Sequence, residues 1–215
     1  MKIIYAVCSW GLGHATRSLP VIRKLIKEGN DLTIISNGRS LELLKNELKD
    51  SVSEYIEIQD YPMLLSENSR QFMAKSMIYW PKFVMRMRSG LTTITKLLEN
   101  RKCDLIITDA RYDMYSRKIP TFFISHQMRI LNPLRIKTFE KGSEIFNKYF
   151  FKRYKGIIIP DFKNDNLSGE LSHNLSKIDE KSLHYVGVLS DFEKKDLKKD
   201  IDYLISISGP EPQRS

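Results

Sequence analysis

The sequence contains little cysteine and no long apolar run. Its 215 residues include two cysteines, Cys8 and Cys103, each beside an apolar run of strand length, where cysteine usually behaves as a small buried hydrophobe. We therefore expect no disulfide framework. No run of about 18 apolar residues occurs, so we expect no transmembrane helix. The apolar run after Met1 is too short for a secretory signal and no cleavage-like site follows it, which predicts a cytoplasmic protein.

Motifs for metal binding and for several kinds of catalysis are also missing. The sequence has no CxxC pair and no HExxH, so we expect no metal site. It has neither the GxSxG elbow of α/β-hydrolases nor a Walker A loop. We found no internal repeat, no low-complexity tract and no recognised nucleic-acid module, and we expect no nucleic-acid partner.

Acidic residues are fewer than basic ones. Lys and Arg number 35 against 26 Asp and Glu, a formal net charge of +9. Such a surplus favours acidic partners, for example anionic lipid headgroups or a phosphate-bearing substrate. The alternative is that most of the lysines are ordinary solvated surface residues.

What the sequence does contain is an alternation of apolar runs and helical patterns up to about residue 160. The apolar runs are continuous, as in strands buried on both faces of a parallel sheet. This alternation predicts an α/β fold with a Rossmann-like, doubly wound parallel sheet. The predicted strands are 3–7, 31–36, 53–58, 104–109, 121–125 and 156–160. The predicted helices follow residues 13, 37 and 109 and span 66–101, with a break or kink at Trp80-Pro81, and 137–154.

The composition changes after the last of these strands. Residues 161–182 are rich in Asn, Asp, Ser and Glu, which predicts a long surface loop, and a short extended piece follows at 184–189. Residues 191–200 form a charged run with linker character. The apolar run 201–208 predicts one more strand, which leads into a Gly-Pro turn. We therefore divide the chain into a domain at 1–190 and, at 191–215, a linker and the start of a second domain.

The strongest local signal is GLGHATRS, from Gly11 to Ser18, between the first strand and the first helix. Gly11 and Gly13 allow the backbone to approach a ligand closely, and the amides that begin the helix favour an anion or a polar oxygen. The run is not the dinucleotide fingerprint, because Thr16 stands where GxGxxG requires its third glycine. The sequence thus predicts a binding turn.

This G-x-G-H-x-x-R-S run resembles the N-terminal signature of GT-B nucleotide-sugar glycosyltransferases. Within that group it is similar to the N-acetylglucosaminyltransferase of peptidoglycan lipid synthesis and to diacylglycerol glycosyltransferases. Tyr185-Val-Gly-Val resembles the segment that crosses between the two domains of such enzymes. The terminal Ser208-Gly-Pro-Glu-Pro-Gln-Arg-Ser is similar to the first motif of their donor-binding domain.

The resemblance implies roles for particular residues. His14 would lie in the interdomain cleft as a catalytic residue, since glycosyl transfer needs a group that accepts the hydroxyl proton. The alternative is that His14 only orders the loop. Arg17 could face an acceptor phosphate or tie the first helix to nearby loops. In the donor-binding part, the resemblance points to Gly209, Glu211, Gln213 and Arg214.

Position in the sheet adds three substrate-binding candidates. Asp109 and His126 follow predicted parallel strands, and ligands of open α/β sheets bind at the carboxyl ends of the strands. Gln127 extends the polar group Ser125-His126-Gln127. For Asp109 the alternative is a cap on the next helix.

Two segments combine basic with apolar side chains. One spans residues 72–91, with four methionines and four Lys or Arg residues, and the other spans 137–154. Such mixtures suit an anionic membrane surface or a lipid-linked acceptor, although a methionine-rich helix more often packs in a core.

Together these observations predict the N-terminal, acceptor-binding half of a glycosyltransferase. The donor would be a nucleotide sugar acting as a co-substrate, with no other cofactor, and the acceptor lipid-linked or a glycan. The donor-binding half would belong to a longer version of the same chain or come from a second polypeptide, and in either case we expect this chain alone to be inactive. The alternatives are a nucleotide-sugar hydrolase of the same fold and a non-catalytic module that binds a glycolipid or a partner.

Overall fold

A computed structural model of the chain describes residues 1–61, 69–132, 135–192, 195–196, 200–203 and 205. Its strands form one seven-stranded sheet in the order β3-β2-β1-β4-β5-β6-β7, and every neighbouring pair is parallel. This architecture confirms the doubly wound α/β fold. The strands are β1 (Lys2–Val7), β2 (Asp31–Ser36), β3 (Glu54–Glu57), β4 (Leu105–Asp109), β5 (Thr121–Ile124), β6 (Gly156–Ile159) and β7 (Leu183–Tyr185).

Helices cover both faces of the sheet. In β1, Ile3, Tyr5 and Val7 pack in one core cluster with residues of the first two helices. Ile4 and Ala6 point to the opposite face and pack with Ile94 of the third helix. This two-sided burial explains the unbroken apolar runs of the strands. The helices are α1 (Leu12–Lys27), α2 (Gly38–Leu48), α3 (Ser69–Glu99) and α4 (Lys137–Phe151).

Of the expected break or kink at Trp80-Pro81, the break is wrong, because α3 is one helix of 31 residues that contains Pro81; the kink stays a prediction. Proline inside a helix removes a backbone hydrogen bond and costs about 3 kcal/mol. Packing offsets this cost, since Met87 and Ile94 of the same helix are buried, Ile94 packs against the sheet, and tertiary packing supplies most helical stability in proteins.

The short helix expected after Asp109 is also wrong, since residues 110–120 contain no helix. Side chains take over the role of helical hydrogen bonds in this connection. The Thr108 hydroxyl donates to the Arg111 carbonyl at 2.9 Å, and the Tyr112 amide donates to the Tyr61 hydroxyl at 3.2 Å. These bonds hold the segment in an irregular but buried path.

Residues 161–182 are only partly the surface loop that the composition predicts. Asp161, Ser172 and His173 are buried, and short 3-10 turns occur at Gly169–Leu171 and Glu180–Ser182. The Asp161 carboxylate accepts hydrogen bonds from the amides of Leu167 and Ser168 at 3.0 and 2.9 Å. An internal carboxylate thus organises a segment whose composition resembles that of a loop.

The strand predicted at 201–208 lies largely outside the described residues. Of this run, residues 201–203 and 205 are described, and they carry no strand assignment. The division at residue 190 stays a prediction.

Strand order identifies where a ligand site is expected. The chain builds the sheet outward from β1 in one direction to β3 and in the other direction from β4 to β7. In open α/β sheets, ligands bind outside the carboxyl ends of the strands at the point where the order reverses. That point lies between β1 and β4.

Candidate functional site

The glycine loop joins β1 to α1 at this point. Gly11 precedes the first helical residue and has φ 88°, in the left-handed region that a residue with a Cβ seldom adopts. Nothing lies within 4 Å of a Cβ built on Gly13. Gly11 is therefore required by the backbone turn, whereas Gly13 leaves open space beside the loop, as a ligand-binding turn requires.

Asp109 is the centre of the site. It ends β4, its side chain is 0% exposed, and three side chains contact its carboxylate. Arg17 binds both oxygens, with Nε at 2.7 Å from Oδ2. The Ser18 hydroxyl donates to Oδ2 at 3.2 Å, and His14 Nδ1 lies 2.8 Å from Oδ1. No helix follows Asp109, so the capping alternative does not apply.

The charge of Asp109 is maintained in spite of its burial. Burial by itself would raise the pKa of this carboxyl, but the hydrogen bonds and charges of Arg17 and His14 outweigh it, and the pKa is lowered. Bidentate pairing of Arg with a carboxylate also fixes the relative orientation of the two groups. Asp109 is therefore a buried anion that positions the two α1 side chains.

His14 lies at the exposed side of this cluster, with 20% of its side chain exposed. Its Nδ1 is 2.8 Å from both Asp109 Oδ1 and Arg17 Nη2. A carboxylate only accepts and a guanidinium only donates, so the Nδ1 proton decides which of the two contacts is a hydrogen bond. With the proton on Nδ1, the bond goes to Asp109 and Nε2 is the basic nitrogen.

His126 joins the cluster from the neighbouring strand. It follows β5, and its Nδ1 lies 2.8 Å from Arg17 Nη1. Because Arg17 can only donate, Nδ1 of His126 is an acceptor and its proton is on Nε2. Burial and the charge of Arg17 lower the pKa of His126. His126 is thus a neutral imidazole with an N–H to offer, not a second base.

The structure brings together four of the predicted site residues, His14, Arg17, Asp109 and His126, with Gly11 in the adjacent loop and Gly13 in the first turn of α1. Gln127 is exposed, and its backbone carbonyl accepts from the Asn147 amide at 3.3 Å. No hydrogen bond of the described structure joins its side chain to the Asp109 cluster. The donor-binding candidates Gly209, Glu211, Gln213 and Arg214 lie outside the described residues.

A second buried charge cluster supports the same loop, and sequence reasoning missed it. Arg111 is 0% exposed; its Nη2 donates to Asp113 Oδ2 at 2.7 Å and its Nη1 to the Ile58 carbonyl at 2.8 Å. Asp60, 3.9 Å from Arg111 Nε, accepts from the Ser9 amide at 2.8 Å. The cluster therefore ties the connections after β1, β3 and β4 to one another just before Gly11.

Aromatic side chains border the loop on the α3 side. Trp10 Nε1 donates to the Tyr61 carbonyl at 2.8 Å, and the two rings meet edge to face at 5.2 Å. Tyr61 also contacts Phe83 of α3, with 4.8 Å between ring centroids. The glycine loop therefore has an aromatic wall on this side.

The described residues show neither a metal-binding cluster nor a membrane-spanning helix. No group of three or more His, Cys, Asp or Glu side chains among the described residues could hold a metal ion. Over that part of the chain, no helix is both long and apolar enough to cross a membrane.

Comparison with protein families gives one match of wide coverage. A family model described as "Glycosyl transferase family 1" matches residues 1–141. An uncharacterized glycosyltransferase of Methanosarcina acetivorans is 30% identical over 174 residues, which cover 75% of this chain and 42% of the relative. One from Methanosarcina mazei is 28% identical over 194 residues, covering 81% of this chain and 50% of the relative. The chain thus spans about half the length of the curated relatives it matches.

Solved structures show the same fold at low sequence identity. Arabidopsis thaliana UGT89C1, solved with UDP-L-rhamnose, has a TM-score of 0.56 at 12% identity, with 94% of this chain and 55% of that chain covered. The calicheamicin glycosyltransferase CalG4 has a TM-score of 0.54 at 15% identity, with 87% and 52% covered. These likenesses confirm the predicted architecture, that of a GT-B N-terminal domain.

Proposed function

The chain belongs to glycosyl transferase family 1, and we propose that it forms the acceptor-side half of an enzyme that transfers a sugar from a nucleotide sugar to an acceptor hydroxyl. The observation that carries the proposal is the cluster of His14, Arg17 and Asp109 at the reversal point of the sheet. One partly exposed imidazole, backed by a buried carboxylate, suits proton transfer at the mouth of a cleft.

In the proposed reaction His14 is the general base. The acceptor oxygen bonds to the anomeric carbon, the bond from that carbon to the donor diphosphate breaks, and the hydroxyl proton passes to His14 Nε2. Asp109 keeps the other ring proton on Nδ1 and stabilises the imidazolium that forms, as a carboxylate does in other oriented His pairs. The nucleoside diphosphate leaves with the electron pair.

The donor site is proposed to lie mainly in a second lobe. The curated relatives are about twice as long as this chain, and UGT89C1 was solved with UDP-L-rhamnose. We propose that Gly209, Glu211, Gln213 and Arg214 begin the donor-binding lobe, which the same or a second polypeptide completes. Helix N-termini of the two lobes would then stabilise the leaving diphosphate.

For the acceptor we propose a lipid-linked molecule or a glycan, reached at an anionic membrane surface. Supporting this, α3 exposes the apolar side chains Ile78 and Met85, at 75% and 69%, beside exposed Lys82 and Arg86. Apolar side chains flanked by cations are typical of helices that contact lipid headgroups. Met87 of the same helix is buried, so the methionine-rich segment serves the core as well.

The first test separates the role of this chain from that of the proposed second lobe. Transfer from a panel of UDP-sugars is measured with the chain alone and with the C-terminal half of the Methanosarcina acetivorans relative supplied in trans or by fusion. We expect activity only in the second case. Robust turnover by the chain alone would contradict the half-enzyme proposal, and sugar release without any acceptor would favour the hydrolase.

The second test addresses His14 in the active combination. We expect His14→Gln to lower the transfer rate by about 10²- to 10⁴-fold, because an amide cannot accept the proton. Glu42→Gln, on the exposed surface of α2, is the control and should keep the rate. Equal rates for His14→Gln and the control would remove His14 from the mechanism.

The membrane proposal is tested by flotation of the chain with vesicles of phosphatidylglycerol and phosphatidylcholine at low and high salt. We expect binding at low salt that Met85→Ser weakens. Absence of binding at low salt would exclude the proposed contact with an anionic membrane surface.

A further inference from the structure

A basic pocket opens at the opposite edge of the sheet from His14. It has a volume of about 490 Å³ and is lined by the segments that precede β5 and β6. Because all seven strands are parallel, residues before the strands lie at the amino edge, whereas the Asp109 cluster follows the strands at the carboxyl edge. The pocket is therefore separate from the proposed reaction site.

The lining of this pocket has one sign of charge. It contains two tyrosines and no acidic residue, and the nearby backbone is held in place, since the Lys155 amide donates to the Thr121 carbonyl at 2.7 Å. A volume of a few hundred Å³ is that of a small-molecule site. Its cations are Arg117, Lys118, Lys152, Arg153 and Lys155.

None of these five cations forms a salt bridge with a carboxylate in the described part of the chain, unlike several exposed arginines elsewhere. Arg23 pairs with Glu47 and Asp191, Arg101 with Glu54, and Arg135 with Glu170. Collecting like charges in one concavity raises their mutual repulsion. An anion in the pocket would relieve that repulsion.

One of the cations is held in position before any ligand arrives. The Arg153 guanidinium lies 4.5 Å from the centroid of the Phe150 ring and 5.3 Å from that of Tyr115. Stacking on aromatic rings restricts a guanidinium while leaving its N–H groups free to donate at its edge. Arg153 is thus preorganised to bind an oxyanion, and the four flexible side chains around it add charge.

We propose that this pocket binds a multiply phosphorylated anion, with Arg153 as the fixed donor and Arg117, Lys118, Lys152 and Lys155 as surrounding cations. Five cations exceed what one phosphate neutralises, and Arg and Lys are the residues that recognise phosphate groups in proteins. The same chemistry is carried by a soluble diphosphate and by the headgroup of a phosphorylated lipid, so the experiment distinguishes these two sources.

The soluble source is tested by titrating the full chain, labelled with ¹⁵N, with inorganic pyrophosphate at constant ionic strength. We expect saturable shifts of the amide signals of residues 116–119, 121 and 152–156, while the signal of Gly13 stays unchanged. Arg117→Gln/Lys118→Gln should weaken binding at least tenfold. Arg153→Gln should do the same, and it checks the preorganised donor separately.

The matched control is Lys24→Gln/Lys27→Gln, which removes the same charge from exposed lysines in the last turns of α1. It should keep the pyrophosphate affinity within twofold. A loss equal to that of the pocket variants would mean that net charge alone drives binding and would overturn the proposal.

The lipid source is tested by flotation of the same proteins with cardiolipin vesicles. Flotation that the pocket variants lose, together with weak pyrophosphate binding, assigns the pocket to a lipid headgroup. Pyrophosphate binding without flotation assigns it to a soluble diphosphate. If the unmodified chain binds neither probe, the pocket is not an anion site.

Discussion

The two edges of this sheet place charge in opposite ways. At the carboxyl edge, Asp109 and Arg17 are paired with each other in a buried cluster, and Arg111 with Asp113 in another. At the amino edge of β5 and β6, four of the five cations of the basic pocket are exposed and Arg153 is partly buried, and none forms a salt bridge with any carboxylate that the structure describes. The same residue types therefore have different uses at the two edges.

Burial explains the difference. A buried charge without a partner costs several kcal/mol, so the carboxyl edge can hold ions only as paired and hydrogen-bonded sets, which also fixes their geometry. Exposed cations are stabilised by water and need no partner. The carboxyl edge, with its paired charges, is suited to orienting catalytic groups. The amino edge, with its unpaired cations, is free to bind an anion. Four predictions test this contrast, in order of decreasing effect.

The largest effect is expected from Asp109→Ala. The change leaves Arg17, whose side chain is 14% exposed, without its carboxylate, and breaking a buried pair costs about 3–5 kcal/mol. We expect a fall of that size in the free energy of unfolding, measured by urea denaturation. Glu42→Gln serves as the exposed control and should stay within about 0.5 kcal/mol of the unmodified chain. If Asp109→Ala matches the control, the carboxyl edge does not depend on paired charge.

Gly90→Ala should give the next largest effect, because α3 passes very close to the second cluster. A Cβ on Gly90 would lie 2.0 Å from Asp113 Oδ2, and Arg111 holds that carboxylate in place. Overpacking of this kind costs about 1–3 kcal/mol, which thermal or urea unfolding would detect.

Gly142→Ala is the matched control for this prediction. Gly142 lies inside α4, and nothing approaches its Cβ position within 4 Å. Alanine there should raise the free energy of unfolding by about 0.5–1 kcal/mol, since glycine is unfavourable inside helices. Similar effects at the two positions would mean that Asp113 can move aside.

A smaller effect concerns the pH dependence of stability. The pKa of His126 in the folded chain lies below the ordinary value of 6.5. As the pH falls, His126 is therefore protonated at a higher pH in the unfolded chain than in the folded chain. The contribution of neutral His126 to stability is therefore complete above about pH 6.5, and it is lost as the pH falls through the pKa of His126 in the folded chain. We expect His126→Gln to reduce the fall in unfolding free energy between pH 7 and pH 5.

The control for this experiment is His184→Gln, which changes an exposed histidine of β7. It should leave the dependence of stability on pH as it is in the unmodified chain. If the unfolding free energy falls equally between pH 7 and pH 5 for His126→Gln and for the unmodified chain, Arg17 does not keep His126 neutral.

The smallest effect is expected from substitutions in the basic pocket at the amino edge. Arg117→Gln/Lys118→Gln removes two exposed cations, and we expect the free energy of unfolding to change by no more than about 0.5 kcal/mol, with a slight gain at low salt. A loss above 1 kcal/mol, measured beside Asp109→Ala, would mean that these side chains hold the fold together and would remove the contrast between the edges.

The fold and half of the site were predictable for physical reasons. Parallel strands buried on both faces produce unbroken apolar runs, and these locate the strand ends, where Asp109 and His126 were found. The pairing of Arg17 with Asp109 was not predictable, because the two are far apart in the chain. Arg111, Asp113 and Asp60 gave no local signal either, since a buried ion pair depends on tertiary proximity. The unbroken path of α3 through Pro81 likewise depends on packing that no window of sequence contains.

α3 is much longer than the strands of the sheet. At about 1.5 Å per residue, its 31 residues extend about 46 Å, whereas a six-residue strand such as β1 rises only about 20 Å. Met87, Gly90 and Ile94 are buried in the C-terminal half. A strand of that length can therefore run alongside less than half of α3, and the larger part of this helix extends past it.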